Sequence, residues 1–420
     1  ALGKIRRQIR GVPESNAMSG LISVAEALQA IEAFRPKPET ETVPLTQALG
    51  RRLTAPVIAQ RTHPPAAMSA MDGYAVRLDD VRQEGATLHV IGEAPAGHPY
   101  QGKVEQGETV RVFTGSVVPD GADHIVIQEN ATRTADQIQI NQAAEKSQHI
   151  RAAGIDFTLG EELIAAGSRL GPTHLSVIAA SNNASVSAVR HLKVGLLSNG
   201  DELRAPGSVL GPGEIINSNP YTLSAFVEAW GGDVVDLGIA GDQRADIISR
   251  IEAHPDIDVF VPIGGASVGD HDHMKDAFAA LGFETVFAKV AVRPGKPTWF
   301  SKSASNVVLG LPGNPASALV CAHLFLAPLL GVPWADRVTT GRLTEPVSAN
   351  GEREHFVRSQ AILTDTGEIT ISPYANQDSS LLHPFLSCNA LLRRMPGASA
   401  LNIDQSAEVL LIGPLRTSKR

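Results

Sequence analysis

The chain has 420 residues, 43% of them apolar and 19% charged, with a formal net charge of −8. This length supports two to four domains with substantial cores, and the acidic balance excludes a general nucleic-acid binder, whose phosphate contacts require a basic surface. The two cysteines, Cys321 and Cys388, lie far apart and supply neither a disulfide framework nor a paired metal-ligand pattern, which fits a reducing, cytoplasmic setting.

Residues 1–17 carry Lys4, Arg6, Arg7 and Arg10 with no apolar stretch behind them, so they read as a leader or disordered extension and not as a secretory signal. Met18 is the expected natural start. Ser23 and Glu26 form a capping box ahead of Val24, Leu28 and Ile31 at helical spacing. Residues 57–148 contain short β-rich runs broken by Gly and Pro, such as Leu88-His89-Val90-Ile91 and Val110-Arg111-Val112-Phe113, which predict an inserted β domain. Helical character returns at 172–180, and residues 18–56 with 149–188 are expected to form an elongated helical, linking domain.

From residue 191 strands and helices alternate with short turns. This predicts an α/β domain over 189–332, built on a central doubly wound, mainly parallel sheet with ligands at the carboxyl ends of its strands. The apolar run 316–332 contains His323 and Pro328, is too short and interrupted for a membrane span, and reads as a buried helix with Cys321 in the core. Beyond Pro333, strands at 354–362 and 368–371 around the turn Asp365-Thr366-Gly367 predict a C-terminal β domain over 333–420.

Two glycine-rich loops stand out: Gly264-Gly265-Ala266-Ser267-Val268-Gly269 and Leu311-Pro312-Gly313-Asn314-Pro315-Ala316-Ser317. Each joins an apolar strand to a helix, the order that aims free backbone N–H groups and the helix dipole at an anion. Pro315 suits the first helical turn and Asn314 is a good N-cap. Lys289, Arg293 and Lys296 lie between the loops, the last in Pro294-Gly295-Lys296-Pro297. Three acidic groups follow strands and can converge on one sheet edge: Asp201 with Glu202, Asp242, and Asp270 with Asp272. Such carboxylates suit a hard divalent cation, although a single one is as often a helix cap or a solvated loop charge.

Six motifs occur in order: Ser69-Ala70-Met71-Asp72-Gly73-Tyr74-Ala75, Arg111-Val112-Phe113-Thr114-Gly115, Gly200-Asp201-Glu202-Leu203, the first glycine loop, Pro294-Gly295-Lys296-Pro297 and Leu311-Pro312-Gly313-Asn314-Pro315. In this order they resemble the molybdopterin molybdenumtransferases, the family that includes the gephyrin E domain, from about Leu21 to the C-terminus. The resemblance implies a homodimer of four-domain subunits that inserts molybdate into adenylylated molybdopterin and releases AMP with the help of Mg²⁺. It implies Mg²⁺ on Glu202, Asp242 and Asp272. Phosphate and pterin contacts fall to Gly264, Gly265, Ser267, Gly269, Lys275, Lys289, Arg293, Pro312, Gly313, Asn314 and Pro315. Molybdate would rest on Lys296, Ser317, Arg358 and Ser379; without that role Arg358 is an ordinary surface strand arginine. Asp72, Thr114 and Asp156 resemble residues that one subunit lends to the other's cleft. Departures from the family pattern are Asn199 for Thr, Ile263 for Ser, Ala266 for Val, Arg293 for Lys and Asp378 for Gly. Alternatives are a molybdopterin adenylyltransferase, disfavoured by the extra β domains, and a non-catalytic pterin-binding scaffold. Other molybdenum cofactor synthesis proteins are expected partners; a membrane and nucleic acid are not.

Overall fold

The computed structural model describes residues 18–264 and 273–418. Gly265, Ser267, Gly269, Asp270 and Asp272 therefore lie outside the described residues. The chain divides into two compact units, residues up to 38 with 191–420, and residues 39–190.

The first unit is organised by a seven-stranded sheet in the order Met18–Ile22, Glu284–Val290, Trp299–Lys302, Val307–Gly310, Val259–Ile263, Leu192–Asn199, Gly232–Ala240. Only Trp299–Lys302 runs antiparallel to its neighbours. All five residues of Val259–Ile263 are buried, as a parallel strand covered on both faces requires. Side chains alternate between the faces: Val259, Val261 and Ile263 join one core, whereas Phe260 joins the other with Met274 and Phe278. Because the central strands are parallel, their carboxyl ends share one edge. No described helix is long and apolar enough to cross a membrane.

The N-terminal segment differs from the expected assignment to a linking domain. Met18–Ile22 pairs in parallel with Glu284–Val290, and the following helix, Val24–Phe34, buries Val24, Ala27 and Ile31 in the core of the α/β sheet. Its capping box is present: the Ser23 N–H donates to Glu26 Oε2 at 2.8 Å, and the Glu26 N–H to Ser23 Oγ at 3.2 Å. Helical spacing reveals an apolar face but not which domain that face covers.

The long buried helix comprises Pro315–Cys321, a π turn at Ala322–Leu326 and Ala327–Leu329. Pro328 lacks the N–H that would bond the Leu324 carbonyl four residues earlier. Trp334 Nε1 donates to that oxygen instead, at 3.0 Å, and Arg337 donates to the neighbouring His323 carbonyl at 2.9 Å.

After this helix, the strands Val338–Leu343, Glu354–Leu363, Ile369–Pro373, Ala390–Arg394 and Ser406–Leu411 form a β-barrel, closed by pairing of Glu354–Leu363 with Ala390–Arg394. Val292–Arg293 adds to it alongside Glu354 and His355.

The second unit holds a six-stranded sheet in the order His124–Ile127, Gly73–Val76, Glu108–Val112, Thr87–Ala94, Gln137–Ile140, Ala131–Thr134, with separate apolar clusters. The remainder of the unit contains one α-helix, Pro172–Ala180, and strand pairs such as Thr40–Pro44 with Ser185–Val189, so it is less helical than its sequence suggests.

Candidate functional site

Gly264 and Gly313 meet backbone to backbone at the carboxyl edge of the sheet. Gly264 has φ +92°, and a Cβ there would lie 3.0 Å from the Asn199 carbonyl oxygen; one on Gly313 would lie 3.4 Å from Gly264 Cα. The Gly264 N–H donates to the Leu311 carbonyl at 3.1 Å, and Asn219 Nδ2 donates to the Gly313 carbonyl at 2.8 Å. Glycine is required at the first position by both its left-handed backbone and this close approach. Lys275, in the helix beyond the first loop, has its ammonium 5.8 Å from the Trp299 ring centre.

Pro315 opens its helix as expected, but Asn314 makes no side-chain cap bond. The N–H of Ala316, a donor that a cap would serve, is taken by the Ser379 carbonyl at 3.0 Å, and Asn314 Nδ2 donates to Ser379 Oγ at 3.0 Å. A loop of the barrel thus performs the capping. Ser317 is buried one residue further on.

Arg358 is not a surface strand arginine: it is 1% exposed. Its Nη1 donates to the Leu381 carbonyl at 2.9 Å, and its Nη2 to those of Asp378 at 2.8 Å and Asn376 at 3.3 Å. Gln377 Oε1 accepts the Arg358 backbone N–H at 2.9 Å. The guanidinium is therefore spent on shaping the loop that carries Ser379. Asp378 Oδ1 accepts from the Ser380 N–H at 2.8 Å and hydroxyl at 2.6 Å, and these bonds hold its carboxyl below the usual carboxylate range. Asp378 is not among the described non-glycine residues with left-handed backbone, so this position makes no demand for glycine.

Lys296 is exposed on a turn with a tightly fitted floor. Gly295 has φ +112°, and a Cβ there would stand 2.1 Å from Cys321 Sγ; Thr298 Oγ1 donates to the Gly295 carbonyl at 2.8 Å. Burial pushes the Cys321 thiol up to about 12, so it packs and does not react. Lys289 is half-buried and Arg293 exposed on either side of this turn.

On the acidic edge, Asn199 joins two strand ends. Its Nδ2 donates to the Gly241 carbonyl at 3.1 Å and to Asp242 Oδ1 at 3.2 Å, while the Asp242 N–H donates to Asp201 Oδ1 at 3.2 Å. The Glu202 carboxylate folds over Gly200, where a Cβ would meet Oε2 at 2.5 Å. Glu202 and Asp242 are both exposed. No group of three or more His, Cys, Asp or Glu poised to hold a metal occurs among the described residues, and the third expected ligand, Asp272, lies outside them. The role of Asn199 as a latch was not visible in the sequence, because its partners are 41 to 43 residues away.

In the second unit Asp72 and Thr114 come together as a pair: Asp72 Oδ1 accepts from the Thr114 N–H at 2.7 Å and its hydroxyl at 2.9 Å. The backbone bond, then the hydroxyl bond, lowers the Asp72 pKa. Asp156 sits on a separate turn, its N–H donating to the His63 carbonyl at 3.2 Å.

Fold and site together define a multidomain α/β protein in which two glycine turns pack against each other beside an acidic strand-end edge. Residues 22–181 match the MoeA N-terminal region (domain I and II), 195–331 a probable molybdopterin binding domain, and 340–412 the MoeA C-terminal region (domain IV). A molybdopterin molybdenumtransferase of Haemophilus influenzae is 33% identical over 366 residues, 84% of this chain and 89% of the relative. Molybdopterin molybdenumtransferase 2 of Mycobacterium tuberculosis is 34% identical over 370 residues, covering 84% and 90%. The crystal structure of a molybdopterin biosynthesis moea protein from Pyrococcus horikosii superposes with a TM-score of 0.79 at 27% identity, over 94% of this chain and 100% of that one. The chain belongs to the molybdopterin molybdenumtransferase family.

Proposed function

We propose that this chain is an enzyme of molybdenum cofactor biosynthesis that inserts molybdate into adenylylated molybdopterin with release of AMP. The observation that carries this reading is the packing of Gly264 on Gly313 beside the acidic ends of two neighbouring strands. A pyrophosphate-linked substrate needs a close backbone approach for its phosphates and hard oxygen ligands for a divalent cation, and Gly264, Gly313 and the carboxylates of Glu202 and Asp242 offer both on one edge.

In this reading the glycine loops, Lys275, Lys289 and Arg293 bind phosphates and the pterin tail. Lys296, Ser317 and Ser379 face the tetrahedral molybdate dianion, a charge-assisted set. Arg358 serves the anion by holding the loop of Ser379. The exposed carboxylates of Glu202 and Asp242 have the donor chemistry for Mg²⁺, with Asp272 as a third ligand. That ion, when bound, polarises the pyrophosphate. Asn199 and Asp201 fix the backbone and one oxygen of Asp242. Asp72, Thr114 and Asp156 complete the cleft of a partner subunit in a cytoplasmic homodimer, and the second unit supplies the extra domains that separate this reading from an adenylyltransferase. Glu202→Ala tests it: molybdate-dependent AMP release is lost while the melting temperature stays near that of the parent, because an exposed strand-end carboxylate contributes little to the core. Retained activity with a lowered melting temperature would make Glu202 a structural residue and remove the cation site from this edge.

A further inference from the structure

A row of basic residues, two arginines flanking a histidine, crosses one end of the C-terminal barrel. Arg293 pairs in register with His355, and His355 with Arg394 on its other side, so three basic residues stand abreast on three adjacent strands. In-register neighbours share a sheet face. Arg353, in the bend just before this strand, donates from Nη1 to the Val292 carbonyl at 3.3 Å and lies close enough to His355 to repel its protonated form. Two residues further along the same strands, Val357 and Leu392 enter the barrel core, so the row continues the inner face of the barrel beyond its apolar filling.

Arginines gathered on one face with no carboxylate between them repel one another, and here they also oppose protonation of the histidine they flank. Elsewhere in the same barrel strand arginines are neutralised: Arg393 bonds Glu354 at 2.5 Å and Glu408 at 2.9 Å, and Arg342 pairs with Glu368. Among the described residues, no carboxylate forms an ion pair with Arg293, Arg353, His355 or Arg394. The His355 imidazole is pushed down to about 4, first by burial and then by Arg293, Arg353, Arg394 and Arg358. Arg394 is 4% exposed and its Nε has no hydrogen-bond partner. Arg293, by contrast, is exposed, and Arg353 and His355 are half-buried, so the row is open from the Arg293 side.

We propose that Arg293, Arg353, His355 and Arg394 form a binding strip for a diphosphate group. Adjacent strands lie about 4.8 Å apart, so the row extends about 10 Å, a length that suits two linked phosphates better than one. Guanidinium groups are the side chains best shaped for phosphate oxygens. The strip begins at Arg293, immediately before the turn that carries Lys296, which places it in continuity with the glycine-loop site in the chain. The assignment rests on the function proposed above only for the identity of the ligand, a substrate with a pyrophosphate linkage; the strip itself is tested without turnover.

The experiment is calorimetric titration of the full chain with pyrophosphate, inorganic phosphate, ADP and AMP. Pyrophosphate and ADP bind more tightly than phosphate and AMP, and Arg353→Gln and Arg293→Gln each weaken pyrophosphate binding about tenfold, the loss expected for one charge-assisted contact. Arg342→Gln, which removes a barrel arginine paired with Glu368, leaves binding unchanged. Arg394 is kept intact because its Nη2 also donates to the Ser399 and Ser348 carbonyls. If Arg353→Gln binds pyrophosphate like the parent while Lys296→Gln does not, the glycine-loop site holds the diphosphate; the strip is then refuted and the proposed function stands. An equal loss in Arg342→Gln would reduce the effect to net charge and refute the strip. Binding lost in Arg353→Gln, together with an absence of molybdate-dependent AMP release by the parent, would retain the strip and refute the function.

Discussion

Arg358→Ala separates a residue that binds an anion from one that builds the site around it. In the folded chain the guanidinium donates to three carbonyls, those of Leu381, Asp378 and Asn376, from a position 1% exposed. A hydrogen bond with one charged partner contributes about 1.5–3 kcal/mol when the other group is left without a substitute. Water reaches part of this surface loop after truncation, so the three together are worth about 3–5 kcal/mol, near the upper end for single substitutions. At roughly 2–4 °C per kcal/mol for a domain of this size, the melting temperature falls by about 10 °C. Because Ser379 rides on the same loop and bonds Asn314 and Ala316, the molybdate concentration for half-maximal activity rises as well. Arg358→Lys keeps the charge but not the fork, and falls between the two in both properties. Thermal melting and molybdate titration at matched folded fractions decide the case. A melting temperature equal to the parent's, with only the molybdate requirement raised, would refute the staple and make Arg358 a direct ligand.

Three further outcomes are expected. His323 is held at about 3 by burial, against about 6.5 unfolded; the unfolded chain takes up its proton first, so stability is complete above about pH 6.5 and declines toward pH 3 at about 1.4 kcal/mol per pH unit. His323→Phe, which keeps the ring packed on Phe226 and Trp230, flattens that slope in denaturant melts between pH 6 and 4. Asp378→Gly lowers the melting temperature, because Ser380 loses its acceptor and the unfolded chain gains freedom, while the molybdate requirement falls with removal of a neighbouring negative charge; an unchanged requirement would place the anion elsewhere. Mixing Asp72→Ala chains with Glu202→Ala chains restores part of the activity in heterodimers, since one cleft is then intact; verified heterodimers without activity would argue that both residues serve the same subunit.

Local patterning carried much of the architecture. The alternation after residue 191 marked the strands and helices of the sheet, and the Ser23–Glu26 pair marked a helix start that forms as expected. Long-range pairing was not legible. The edge strand Met18–Ile22 joins residues 284–290, far along the chain, and no periodicity encodes that partner. The same limit applies at the site. Asn314 has the composition of a cap, yet Ser379, 65 residues away, supplies the acceptor. Arg358 reads as a surface arginine because its strand position does not reveal the loop that covers it. The floor of the Lys296 turn is a cysteine 26 residues from Gly295, visible only once the helix is packed. Glycines and charges mark the loops where an anion site is expected; the contacts that shape those loops come from elsewhere in the sequence.

In the proposed function, cleavage of the adenylate is coupled to molybdenum insertion. Its most direct test is a single turnover of adenylylated molybdopterin with the purified chain and Mg²⁺, with and without molybdate, measuring AMP and pterin-bound molybdenum together. AMP release that depends on molybdate and matches the inserted molybdenum one for one is the expected result. Tight binding of the pterin with no AMP release would identify a scaffold, and AMP release indifferent to molybdate would contradict the coupling on which the proposed function depends.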